Sequence, residues 1–168
     1  MNDGASAQDA ITQLASSTDH IEYRQLLAVD KQGGTHIYSG SEALGVVAEH
    51  KTKNAASAGN LLDNTSIPET MVSAFENTPG HLGDRLIRAL KAALEAGGEA
   101  GPVHSAGLLL VDNVSWPVAE LRCDWAPDEC PIKNVADAWE VYKPQLADYT
   151  QRALDPTKAP SYGVPGNE

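Results

Sequence analysis

The stretch that decides the fold is Glu95–Asp112, EAGGEAGPVHSAGLLLVD. Just upstream, Leu82, Leu86, Leu90 and Leu94 recur at every fourth position of a helix, and Gly97-Gly98 supplies its stop. A turn follows, carrying Glu99, Gly101-Pro102, His104 and Ser105, and then Ala106–Val111 runs without a polar residue. An uninterrupted apolar run of strand length predicts a central strand covered on both faces. An acid, a histidine and a serine therefore gather at the mouth of a buried strand.

Working outward, Ala5–Ser16 reads as a helix with Ala10, Ile11, Leu14 and Ala15 on one side. Tyr23–Asp30 is strand-like, the DKQGG of Asp30–Gly34 is a turn, and His36–Tyr38 completes a hairpin. Further strands are expected at Val46–His50 and Ala55–Asn60. Ser66-Ile67-Pro68-Glu69 has the form of a capping box with proline in the first turn, opening a helix that turns Met71, Val72 and Phe75 inward. Beyond the central strand, DNVSW turns the chain into a strand at Val118–Trp125. A helical region then runs from Asn134 to Leu154, broken or kinked at Pro144. Strands and helices come in blocks, which favours a layered α+β sandwich over a doubly wound sheet. The expected organisation is one α+β domain over 1–154 and an extended, Pro- and Gly-rich arm over 155–168.

Bulk properties exclude several function classes. The chain has 168 residues, 42% of them hydrophobic, with 12 Lys and Arg against 23 Asp and Glu, a net charge of −11. Such a field repels phosphate backbones, so no nucleic-acid partner is expected. No apolar run approaches bilayer-spanning length, so no membrane partner is expected either. Met-Asn-Asp-Gly carries no secretory signal, which points to a cytoplasmic location with Cys123 and Cys130 as free thiols. The five histidines fall in no metal-ligand spacing, and neither a Walker loop nor a GxSxG elbow is present; no metal or cofactor is expected.

Two places could carry chemistry. At Ala58-Gly59-Asn60 a glycine permits close backbone approach and the Asn60 amide can donate to a developing oxyanion. The plainer reading there is an ordinary turn. The second place joins Glu99, His104 and Ser105 to Arg122 and Asp124, which share one strand face and could orient a carboxylate, an amide or an amino group. A structural ion pair at a sheet edge explains Arg122 and Asp124 equally well. A Ser-His-acid triad from Ser105, His104 and Glu99 is disfavoured, because adjacent strand residues point to opposite faces.

The blocks EYRQLLAVD, ASAGNLL, HLGDRLIRALKAALEAGGEAGPVHSAGLLLVD and AELRCDW, in this order, resemble the bacterial family of unknown function numbered one thousand and twenty-eight. That family is similar to N-terminal-nucleophile (Ntn) hydrolases. The resemblance implies an Ntn-hydrolase-like αββα sandwich with mainly antiparallel sheets, present in part, and hydrolysis of an amide bond in a small or peptide-like substrate. Asn60 would be the oxyanion residue, and Glu99, His104, Ser105, Arg122 and Asp124 would line the substrate, with His104 standing where the family commonly has Gln. Family members open with further strands, the first carrying a Thr or Ser nucleophile. This chain opens at Met1-Asn2, in the helix that follows them, and is expected to be a member without that segment. Exposed sheet edges would then favour a homo-oligomer or a separate partner chain. The alternative is a non-catalytic binding or assembly module on a hydrolase-like scaffold.

Overall fold

Ser6 starts the first helix, α1 (Ala7–Ser17): its side-chain oxygen accepts the Asp9 N–H at 3.1 Å. This computed structural model describes residues 4–161. Its contacts divide the chain into two compact units, Met1–Val103 and His104–Glu168.

In the first unit, β1 (Gln25–Val29) and β2 (Thr35–Ser39) form an antiparallel ribbon with Leu27 opposite Ile37. Asp30 fastens its turn. One carboxylate oxygen accepts the N–H groups of Gln32 and Gly34, both at 2.9 Å, and the other accepts Ala7 N–H of α1 at 3.0 Å. The Ala7 N–H, with those of Gly34 and Gln32, holds the Asp30 carboxyl below the usual carboxylate range. A second antiparallel ribbon joins β3 (Val46–Thr52) to β4 (Ala55–Leu62), and the helices α2 (Ile67–Asn77) and α3 (Leu82–Glu95) follow. Helix α1 packs on β1–β2, the two ribbons pack on each other, and α2 packs on β3–β4 with α3 beside it. The layering is α-β-β-α. The fold is α+β with antiparallel strands, as expected.

Alternation assigns the ribbon faces. Ser57 bonds to Met71 of α2 and Thr52 to Glu76 of α2, so their side of β3–β4 faces the helix. The other side carries Glu49, which accepts a 2.6 Å hydrogen bond from Ser39 of the first ribbon.

One local expectation in this unit is corrected. Ser66 does not form a capping box: its backbone is already helical, and its hydroxyl donates to Asn64 Oδ1 at 2.6 Å. Asn64 has taken the hydroxyl that a cap would use. Helix α3 is present as its leucine series predicts, but the four leucines are not its buried stripe. A strict four-residue step advances about 40° per repeat around a 3.6-residue helix, so the series fans across the surface. Leu82 and Leu94 end up exposed, while Gly83, Ile87, Ala89 and Ala92 are buried.

In the second unit, β5 (Ala106–Leu110) pairs antiparallel with β6 (Ala119–Cys123), and α4 (Pro131–Tyr142) packs on both. Leu108 and Leu110 are buried on the helix side with Val135, Ala136 and a fully buried Trp139. The expectation that this strand is covered on both faces is corrected, because Leu109 is 54% and Val111 66% exposed. One helix covers one face of a two-stranded ribbon. The break at Pro144 is a turn of 3₁₀ helix, Lys143–Gln145, before α5 (Leu146–Leu154). Of the C-terminal arm, residues 162–168 lie outside the described residues, as do Met1 and Asn2. No helix among the described residues is long and apolar enough to cross a membrane.

Candidate functional site

Gly59 precedes an irregularity that shapes the end of β4. Ala48 of β3 lies opposite Gly59, but Val46 lies opposite Leu62, so Asn60 and Leu61 together face Val47. This is a β-bulge, a device that re-aims side chains and recurs beside functional sites. Leu61 adopts φ +53°, a conformation that costs a side-chain-bearing residue about 1–2 kcal/mol. Its neighbours hold it there. Leu61 N–H donates to Leu44 O at 3.0 Å, and Ala100 N–H donates to Leu61 O at 2.8 Å. Gly45, at φ +70°, is the residue Leu61 crowds: a Cβ on Gly45 would lie 3.0 Å from Leu61 Cα.

The bulge puts Asn60 on the wall of a cleft of 610 Å³, lined also by Tyr23, Arg24, Gln25, Glu42, Ala43 and Leu44. That volume suits a small molecule. Asn60 Nδ2 donates to Leu44 O at 3.3 Å, which uses one of its two N–H groups. Gln25 Nε2 donates to Ser39 Oγ at 3.0 Å and to Gly59 O at 3.2 Å, which uses both of its own. Ser39 in turn donates to Glu49. The Gln25 amide is therefore locked between the two ribbons, with its carbonyl oxygen bonded to no described residue. The cleft thus offers one amide donor from Asn60 and one amide acceptor from Gln25.

The opposite rim is fixed by backbone. Gly40 N–H donates to Arg24 O at 2.9 Å, and Glu42 N–H donates to Glu22 O at 2.8 Å. Gly40 is required there, since a Cβ would sit 2.1 Å from Glu22 O.

The other sequence-derived residues fall as follows. Glu99 is exposed, and its backbone bridges to Leu62, beside the same end of β4 as Asn60. His104, Ser105, Arg122 and Asp124 belong to the second unit. His104 Nδ1 lies 3.2 Å from Ala126 O and its ring stacks on Trp125 at 4.4 Å, so it braces the loop after β6. Ser105 is exposed at the start of β5 and makes no hydrogen bond with His104. Arg122 donates to Asp124 Oδ1 from Nε at 3.0 Å and Nη2 at 2.9 Å, with Glu120 at 3.8 Å. Asp124 beside it raises the Arg122 pKa above its ordinary value. All three side chains are exposed on one ribbon face, in the manner of a surface ion pair.

Sequence reasoning missed Gln25, Arg24 and Glu42. The glycines at 40, 45 and 59 were the available signal, since isolated glycines beside strands mark bulges and close backbone approach.

Among curated proteins none matches this sequence. A crystal structure of protein SPO2555 from Silicibacter pomeroyi, itself described as DUF1028, resembles this chain with a TM-score of 0.78 and 28% identity, covering 89% of this chain. This chain spans 66% of the length of that one. The model of the family of unknown function DUF1028 matches residues 1–135. The fold, the order of its blocks and the match over most of its length agree, and the chain belongs to the DUF1028 family.

Proposed function

We propose that the cleft at the β4 bulge binds a small amide and belongs to an Ntn-type amidohydrolase site, of which these residues form the oxyanion and substrate-orienting side. One observation carries the reading: a free amide N–H on Asn60 and a free amide oxygen on Gln25 line the same cleft. An amide group presents the complementary pair, a carbonyl that accepts and an N–H that donates. When an amide is attacked, charge develops on its carbonyl oxygen, and a preorganised N–H at that point lowers the barrier. Glu99 lies beside the same strand end, outside the lining of the cleft, and is proposed as a supporting acid. The reading draws nothing from His104, Ser105, Arg122 or Asp124.

No Ser, Thr or Cys is among the residues that line the cleft, so the nucleophile of the proposed reaction comes from outside that set. The same observation favours a second reading, a module that binds an amide without cleaving it.

The test pairs binding with turnover. Short amides are titrated by ligand-observed NMR while ammonia or amine release is followed. Binding that weakens in both Asn60→Ala and Gln25→Ala, with both variants folded by circular dichroism at the assay temperature, supports the amide site. Release of product then selects the hydrolase, and binding without release selects the module. Failure of every amide to bind overturns both.

A further inference from the structure

We propose that this cleft takes a zwitterionic ligand, an α-amino acid whose side chain carries an amide, with its carboxylate on Arg24 and its ammonium on Glu42. The amide end of the ligand rests on the reading given above; the charged end stands on separate observations.

The first is that Arg24 and Glu42 line one cleft and neither is ion-paired to another described residue. Two other clefts of the same unit each hold an arginine whose guanidinium is already engaged. In the groove between α2 and α3, Arg88 Nη1 lies 3.0 Å from both carboxylate oxygens of Glu95. In the cleft at Lys53, Asn54, Phe75, Glu76, Leu82 and Arg85, the Arg85 guanidinium lies 3.9 Å above the Phe75 ring and donates to Phe75 O at 3.0 Å. Glu76 there is held by Thr52. Those arginines are engaged internally, whereas the side chains of Arg24 and Glu42 bond to no described residue and remain open to a ligand.

The second is that the two segments carrying these charges are held side by side at one rim of the cleft. They are tied by Gly40 N–H to Arg24 O and by Glu42 N–H to Glu22 O, and no Cβ fits at Gly40 to shift them. A simple anion satisfies Arg24 and leaves Glu42 facing a like charge; a simple cation does the reverse. A ligand bearing both charges on one carbon satisfies both. Ala43, Leu44 and Tyr23 supply apolar surface for the carbons between its head and its amide.

The experiment measures dissociation constants for the full chain by calorimetry with four probes. L-Glutamine carries head and amide; L-norvaline keeps the head and lacks the amide. 4-Carbamoylbutanoate lacks the ammonium, and 4-aminobutanamide lacks the carboxylate. Glutamine is expected to bind about tenfold or more tightly than either single-charge probe, as one charge-assisted contact is lost in each. Arg24→Gln should erase the preference over 4-aminobutanamide, and Glu42→Gln the preference over 4-carbamoylbutanoate. Norvaline that binds and responds to Arg24→Gln, with no effect of Asn60→Ala on glutamine, keeps the zwitterion site and removes the amide reading. Glutamine and 4-aminobutanamide binding alike, unaffected by Arg24→Gln, overturns the zwitterion site and leaves the amide reading standing. No binding by glutamine or norvaline overturns the proposal.

Discussion

The tie between the segments around Arg24 and Glu42 predicts a large cost for one methyl group. In Gly40→Ala the added Cβ would meet Glu22 O at 2.1 Å, its carbonyl carbon at 2.4 Å and its Cα at 2.8 Å, all backbone atoms that cannot rotate away. Relief requires the two segments to part by about 1 Å or more. Gly40 N–H to Arg24 O, now 2.9 Å, and Glu42 N–H to Glu22 O, now 2.8 Å, then both pass out of hydrogen-bonding range. At about 1 kcal/mol net for each bond, with some penalty for the groups left unpaired, the loss is about 2–3 kcal/mol. For a chain of this size that lowers the thermal midpoint by about 5–10 °C, read by circular dichroism. Gly101→Ala is the internal control: a Cβ there has nothing within 4 Å, and its midpoint should stay within about 1–2 °C of the parent. Because Glu42, Ala43 and Leu44 all line the cleft, Gly40→Ala should also weaken ligand binding, and Gly101→Ala should not. Equal midpoints for the two variants would refute the steric argument and the rim built on it.

Leu61→Gly should match or exceed the parent in stability, by up to about 1 kcal/mol, because glycine adopts the φ of +53° without strain; Leu61→Ile should lose about 1–2 kcal/mol, a branched Cβ being worst there. Urea midpoints check both. Trp139→Ala, which empties the fully buried centre of the second unit, should cost about 3–5 kcal/mol in the same assay. Asp30 supplies a pH dependence. Its folded pKa lies below its unfolded value, so its contribution is complete above the ordinary carboxylate range and is lost as pH falls through the folded value. Thermal midpoints between about pH 5 and pH 2 should fall less steeply in Asp30→Asn than in the parent.

How far the sequence reveals this molecule depends on the range of the interaction. Hairpin turns, helix stops and the break at Pro144 are written in residues that set their own backbone dihedrals, and those elements appear within a few residues of their expected places. The block order then suffices for the α+β class. Burial is a property of neighbours. Leu109 and Val111 are apolar, but among the described residues one helix, α4, packs on one face of their ribbon, so apolarity alone could not say which face is covered. The same limit explains Ser66, whose capping signal is genuine but whose hydroxyl belongs to Asn64.

The cleft lies further still from local reading, since Gln25 and Asn60 come from two different ribbons and meet only because those ribbons stack. Asn60 was visible because a glycine precedes it, but its plainer reading as a turn residue is displaced only by the bulge. In a regular strand Asn60 and Leu61 would alternate between the two faces and the register to Val46 would be kept. The extra residue, fixed by Leu61 at positive φ against Gly45, turns the end of β4 so that Asn60 shares a cleft with Gln25. Gln25 in turn is locked by Ser39 and by the carbonyl of Gly59, the residue just before the bulge. The donor and the acceptor are therefore positioned by one irregularity. A change that regularises the strand, such as deletion of Leu61, should release both at once, abolishing amide binding more completely than Asn60→Ala or Gln25→Ala alone.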